Sequence, residues 1–159
     1  MPAKPSAAAT IVKAGLIAGT LDITAAIIVA FIRGYSPIRI FRYIASAIFG
    51  KASSTGGGMV VAGLLLHYLI AFIWAAVFFY AVYPYIRPLI KSPVVAGLLY
   101  GIFVWVMMNL VVVPLTRVKQ APFTWQGITR EMAILMFCIG LPIAIITYKS
   151  FKLKTKATD

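Results

Sequence analysis

The chain has 159 residues, of which 62% are hydrophobic and only 11% are charged. A soluble domain carries about 25% charged residues, so this composition excludes a water-soluble globule, and its apolar content excludes disorder. The net charge is +12, but the basic residues lie between long apolar runs, where they predict contacts with the anionic headgroups of a lipid bilayer rather than with nucleic acid.

Four stretches are long and apolar enough to cross a bilayer, which takes about 20 mostly apolar residues per helix. Pro84 and Pro88 predict that the second stretch ends near residue 82, at a break in the chain. Because the second and third connections between these stretches are short, we expect helices that follow one another in the chain to lie side by side and antiparallel. The sequence therefore predicts a single all-α membrane domain, an up-down bundle of four transmembrane helices. The predicted spans are residues 11–32, 59–82, 94–115 and 125–148, followed by a basic C-terminal tail over residues 149–159.

The segment between the first two spans is too polar to cross, and it predicts a helix over about residues 36–51. Ser36 as cap and Pro37 as first helical residue are typical of a helix start. Arg39 and Arg42 fall on one face and apolar residues on another, which is typical of an amphipathic helix whose basic face contacts lipid headgroups. A soluble connecting helix packed against the bundle is the alternative.

The basic residues discriminate weakly between the two membrane orientations. The N-terminal segment, the second connection and the C-terminal tail share one face and carry eight Lys and Arg residues, against seven for the other face. Because Lys and Arg are enriched on the cytoplasmic side, the four lysines directly after the last span favour cytoplasmic termini.

Five polar side chains lie within the spans or near their ends, where an ionisable group costs about 2.5–3.5 kcal/mol and is a functional candidate by default. Counting about 1.5 Å per residue places all of them in the bilayer half next to the connecting helix. Each of these residues also has a structural interpretation. Asp22 and Asn109 could serve only to form hydrogen bonds, and His67 could serve only to pack against neighbouring helices. Glu131 has the alternative of pairing with Arg130 or with the helix N-terminus.

We expect Asp22 and His67 to meet, because both lie at similar depth on inward stripes of neighbouring helices. The contact is predicted to be direct or bridged by water. Arg130 is the alternative partner of Asp22, since a carboxylate at that depth needs a proton or a positive neighbour.

Pairs of glycines four residues apart form small-residue surfaces on two of the spans, and such surfaces let another helix approach closely. They are candidate contacts for a homo-oligomer. The pairs are Gly15 with Gly19 and Gly97 with Gly101.

Several classes of protein are excluded by what the sequence lacks. One cysteine and one histidine exclude an intrachain disulfide and a metal site built from several such residues. No nucleotide-binding loop, hydrolase elbow or metalloprotease motif occurs. The sequence therefore predicts no enzyme, no cofactor, no metal and no nucleic-acid partner.

The order of several residues downstream of position 59 is similar to that in a known family. It comprises His67, Tyr83-Pro84, Gly97 to Gly101, Pro114-Leu115, Pro122-Phe123, Trp125 and Glu131. Over residues 59–146 the chain resembles the YagU-type family of uncharacterised small bacterial inner-membrane proteins. It departs at Leu135, where a family-like histidine would follow the glutamate by four residues. The resemblance implies a multi-pass protein of the bacterial inner membrane and supplies no substrate.

Two functions are compatible with these residues. The first prediction is a membrane scaffold or partner-binding subunit whose buried polar cluster fixes helix register. The alternative is a small bundle that moves protons or a small solute past Asp22, His67 and Glu131. A dry, fully paired core would favour the scaffold, and a cavity that water reaches would favour transport.

Overall fold

The computed structural model describes residues 6–54, 56–118 and 122–156, and within these ranges the chain is helical and contains no strand. Four of its helices are long and apolar enough to cross a membrane, which confirms the predicted all-helical class. The helices are α1 (Ala7–Ile32), the short α2 (Ile38–Phe49), α3 (Gly58–Ile86), α4 (Pro93–Leu115) and α5 (Trp125–Lys156).

Contacts between α1 and α3 show that these helices run antiparallel. Gly15 lies against Phe72, whereas Gly19, one turn later in α1, lies against Tyr68, one turn earlier in α3. The same register holds the Thr20 and Tyr68 hydroxyls 2.9 Å apart.

The helices α4 and α5 are antiparallel for the same reason. Gly97 lies against Leu141, and Gly101 lies against Met136. All four glycines that predicted close helix contacts are buried and make those contacts within one chain. A homo-oligomer formed through them would have to replace these contacts.

Hydrogen bonds also join α1 to α5 and α3 to α4. The hydroxyls of Thr10 in α1 and Ser150 in α5 lie 2.8 Å apart, so the start of α1 and the end of α5 lie at one end of the molecule. Between α3 and α4, the Tyr100 hydroxyl donates to the Trp74 carbonyl over 2.7 Å. Aromatic side chains fill the space around this bond, with Phe78 packed on Tyr100 at a centroid distance of 4.7 Å.

Three of the long helices widen into a π turn directly before a proline. The residue before each proline donates its N–H to the carbonyl five residues back rather than four. Proline has no N–H, and its ring crowds the carbonyl four residues back, so the wider turn lets the helix continue. The π turns are Phe78–Val82 before Pro84, Met108–Val112 before Pro114 and Leu135–Gly140 before Pro142.

The helix ends differ from the sequence prediction at several places. The prediction that Pro84 breaks the second span was wrong, because α3 continues through it to Ile86. Ser36 does not cap α2 with its side chain; its carbonyl accepts from the Arg39 N–H instead, and the helix begins only at Ile38. The predicted C-terminal tail begins as a helix that extends to Lys156, and residues 157–159 lie outside the described residues.

The short helix α2 packs tightly against α3. A Cβ atom at Gly63 would overlap the carbonyl group of Phe41, so the two backbones can approach only because position 63 is glycine. Ala45 is fully buried. On the outside of α2, Arg39 is exposed and lies 4.7 Å from the centre of the Tyr35 ring. Arg42, predicted on the same basic face, is half-buried instead.

Candidate binding cavity

A cavity of about 200 Å³ lies among the four long helices, close to α2. Two of the predicted polar residues, Asp22 from α1 and His67 from α3, form part of its wall. The rest of the wall is apolar, and all five helices contribute to it. Its apolar residues include Ile44, Trp74, Met108, Leu135 and Ile139.

The His67 ring is fixed by a backbone group of the neighbouring helix. Its Nε2 lies 2.8 Å from the carbonyl oxygen of Gly19, and the side chain is only 9% exposed. A carbonyl can only accept, so Nε2 carries the hydrogen and Nδ1 is the nitrogen that can accept a proton. This bond forms because Gly19 has no side chain to hold α3 away from α1.

The Asp22 carboxylate is half-buried and lies close enough to His67 to interact electrostatically. Within the described part of the chain it makes no hydrogen bond, so the direct form of the predicted contact with His67 is not formed. A cavity of this volume has room for water molecules that could bridge the two groups. Arg130, the alternative partner of Asp22, does not line the cavity.

The other predicted polar residues lie away from this cavity. Asn109 lies in the π turn of α4, where its side-chain amide donates to the Trp105 carbonyl of the same helix over 3.1 Å. Arg130 is half-buried and Glu131 is exposed, near the start of α5. The Glu131 carboxylate lies near Tyr43 of α2 instead. The pKa of the Tyr43 phenol is raised, chiefly by partial burial and also by the negative charge of this carboxylate.

The sequence did not predict a cavity, so the apolar residues that complete its wall were not assigned to a site. Three of them, Met108, Leu135 and Ile139, belong to the π turns of α4 and α5. Turns of this kind recur at functional sites because they change the direction of side chains within a helix. The signal that marks them is a proline that follows within two helical turns, here Pro114 and Pro142.

The cavity offers one carboxylate and one imidazole in an apolar wall. Among the described residues, no three His, Cys, Asp or Glu side chains come together as a metal site would require. The carboxylate and imidazole can instead hold a proton or pair with one positively charged group. The Trp74 indole can pack against a cation or a hydrocarbon group.

Comparisons of the chain with protein-family models, curated proteins and solved structures found no match. The resemblance to the YagU-type family therefore stays a prediction from the sequence. Function has to be inferred from the residues of the cavity and the surfaces around it.

Proposed function

We propose that this chain is a multi-pass protein of the bacterial inner membrane whose cavity binds a small organic cation and exchanges it for a proton. The supporting observation is that Asp22 and His67 line one cavity with otherwise apolar walls. A scaffold needs only a dry core in which each polar group is paired. The cavity therefore favours the transport function over the scaffold function.

The outer surface of the helices supports the membrane location. Large apolar side chains are exposed along all four long helices, and a soluble monomer rarely exposes such extensive apolar surface. In a bilayer the same side chains contact lipid chains. Examples, one from each long helix, are Leu16, Leu65, Leu99 and Phe137.

The chemistry of the wall favours a cation over other small solutes. A carboxylate without a positive partner in an apolar membrane cavity holds a proton or a bound cation, because an isolated buried charge is very costly. His67 can accept a proton at Nδ1 and keep its bond to Gly19. An arriving cation that pairs with Asp22 displaces its proton, so one proton leaves for each singly charged cation that binds.

The size and lining of the cavity indicate what kind of cation fits. Aliphatic side chains and the Trp74 indole provide no oxygen ligands to replace the water shell of an inorganic ion, but they suit an ammonium group with an apolar body. An apolar cavity of about 150 Å³ can hold benzene. A cavity of about 200 Å³ therefore suits an ammonium ion that carries one aromatic ring or a few short alkyl groups.

Benzyltrimethylammonium tests this proposal, since it combines a fixed positive charge with one ring. Binding to the purified protein in neutral detergent is measured by titration calorimetry, and uptake by proteoliposomes is measured under a pH gradient. Asp22→Asn keeps the shape of the side chain but removes its charge, and we expect at least about tenfold weaker binding, or about 1.4 kcal/mol, and no proton-driven uptake.

Glu131→Gln is the matched control, because it removes the other carboxylate of the described residues, which is exposed and outside the cavity. We expect it to bind and transport the cation as the wild type does. If the wild type and Asp22→Asn give the same binding and uptake and differ only in thermal stability, the proposal is wrong and the scaffold function is supported.

A further inference from the structure

A second cavity, also of about 200 Å³, lies between the end of α3 and the first turns of α4. Val82, Ile86 and Ile90 line one side, and Leu99 and Phe103 lie on the other. Leu99 is 52% exposed and Phe103 is 43% exposed. The cavity is therefore a groove that opens on the outer surface of the helices.

The groove has no polar group with which to hold a polar ligand. Its only side chain with a polar atom is that of Tyr100. The hydroxyl of Tyr100 is already committed, since it donates to the Trp74 carbonyl over 2.7 Å. Hydrocarbon is therefore the chemistry that matches this lining.

Basic residues directly follow two of the residues that line the groove. Arg87 directly follows Ile86, Lys91 directly follows Ile90, and both basic residues are exposed. A hydrocarbon ligand with an anionic group at one end would match both parts of this surface, the apolar groove and the positive charges beside it.

The charged side chains that the structure describes at this end of the molecule are all basic. The Tyr148 hydroxyl donates to the Ile90 carbonyl over 2.6 Å, which holds the end of α5 beside this lining residue of the groove. Lys149 and Lys152 of α5 are exposed there as well. The two carboxylates of the described residues lie towards the α2 end, so nothing described at this end neutralises the basic groups.

We propose that the groove binds one acyl chain of an anionic phospholipid, while Arg87 and Lys91 hold the phosphate of its headgroup. The inference depends on the membrane location proposed above, but not on cation binding at Asp22. Lipid chains reach the groove from the side, and headgroups lie at the level of helix ends, where anionic lipids attract Lys and Arg.

The experiment titrates the protein in neutral detergent with phosphatidylglycerol or phosphatidylcholine of the same acyl chains and counts bound lipids by native mass spectrometry. We expect one phosphatidylglycerol to bind more tightly than phosphatidylcholine. Each basic residue near an anionic headgroup contributes about 1 kcal/mol, so Arg87→Gln with Lys91→Gln should weaken this binding about thirtyfold. Arg33→Gln with Arg117→Gln removes the same charge at the α2 end and should change nothing, because Arg33 directly follows α1 and the Arg117 N–H donates to the Ala47 carbonyl of α2.

Two further measurements separate the groove from simple charge attraction. Leu99→Trp, which fills the groove and keeps both basic residues, should also weaken phosphatidylglycerol binding. Glycerol phosphate, the headgroup without acyl chains, should not displace the lipid. Equal binding of the two lipids, an unchanged affinity in either test variant, or displacement by glycerol phosphate would each overturn the proposal. A chain that does not fractionate with membranes would instead contradict the membrane location.

Discussion

At Gly63, a single missing side chain determines how closely α2 approaches α3. In a Gly63→Ala variant the new Cβ would meet the carbonyl of Phe41, with the carbonyl carbon at 2.6 Å and the Cα at 2.9 Å. These are backbone atoms that cannot rotate away, so α2 has to shift. Forcing an extra carbon into a tight contact costs about 1–3 kcal/mol, and we expect thermal unfolding in detergent, followed by circular dichroism, at a lower temperature.

Gly57→Ala provides the control for this effect. Gly57 has a φ of −70°, and a Cβ atom at this position would meet no other atom within 4 Å, so alanine fits there without strain. We expect stability to be unchanged or to increase by about 0.4–1 kcal/mol, since alanine restricts the unfolded chain. Equal stability of Gly63→Ala and the wild type would mean that α2 does not pack closely on α3.

For individual residues of the cavity, the sequence allowed some positions to be predicted and not others. The spacing of Asp22 and His67 on their helices was enough to predict that both face inward, because helical periodicity depends only on nearby residues. The Gly19 carbonyl that holds His67 could not be found in this way, because the bond depends on the register between two helices that are distant in sequence.

At the level of the helices, apolar length was sufficient to locate the four long helices, but composition could not describe their interiors. Pro84 resembles a helix end in the sequence, whereas the surrounding packing keeps the helix intact by widening one turn. The π turn in α5 also explains why the cavity wall contains Leu135 and Ile139: this turn faces the cavity, while Glu131 lies one turn nearer the exposed start of the helix.

The π turn of α5 gives a prediction at this level. In a Pro142→Ala variant the backbone N–H at position 142 is restored and can bond to the Cys138 carbonyl, which favours a regular α-helix. The side chains of Leu135 and Ile139 then change direction relative to the cavity. We expect several-fold weaker benzyltrimethylammonium binding, measured by the same calorimetric titration, without a loss of thermal stability.

Pro84→Ala makes the same chemical change in α3, at a π turn that contributes no residue to the Asp22 cavity. Cation binding should therefore equal that of the wild type. If Pro142→Ala also binds as the wild type does, the π turn of α5 is not needed for the shape of the cavity.

For the molecule as a whole, charge is distributed unequally between its two ends. The described carboxylates and α2 lie towards one end, and the start of α1 and the end of α5 lie at the other end with the exposed bases Arg87, Lys91 and Lys149. Lys and Arg alone are divided almost equally between the two faces, but the lysines that directly follow the last span favour cytoplasmic termini. That orientation would place the lipid groove in the inner leaflet and the Asp22 cavity in the outer half of the bilayer.

This orientation can be tested with two single cysteines in a Cys138→Ala background. Ser36 precedes α2 and is exposed, and Leu89 follows α3 at the opposite end and is 82% exposed. We expect a membrane-impermeant maleimide to label Ser36→Cys in intact spheroplasts, but Leu89→Cys only after lysis, because the four antiparallel helices place the two positions on opposite faces. The reverse pattern would put the termini outside and the basic end in the outer leaflet. Labelling of both positions from one face would contradict four membrane-crossing helices.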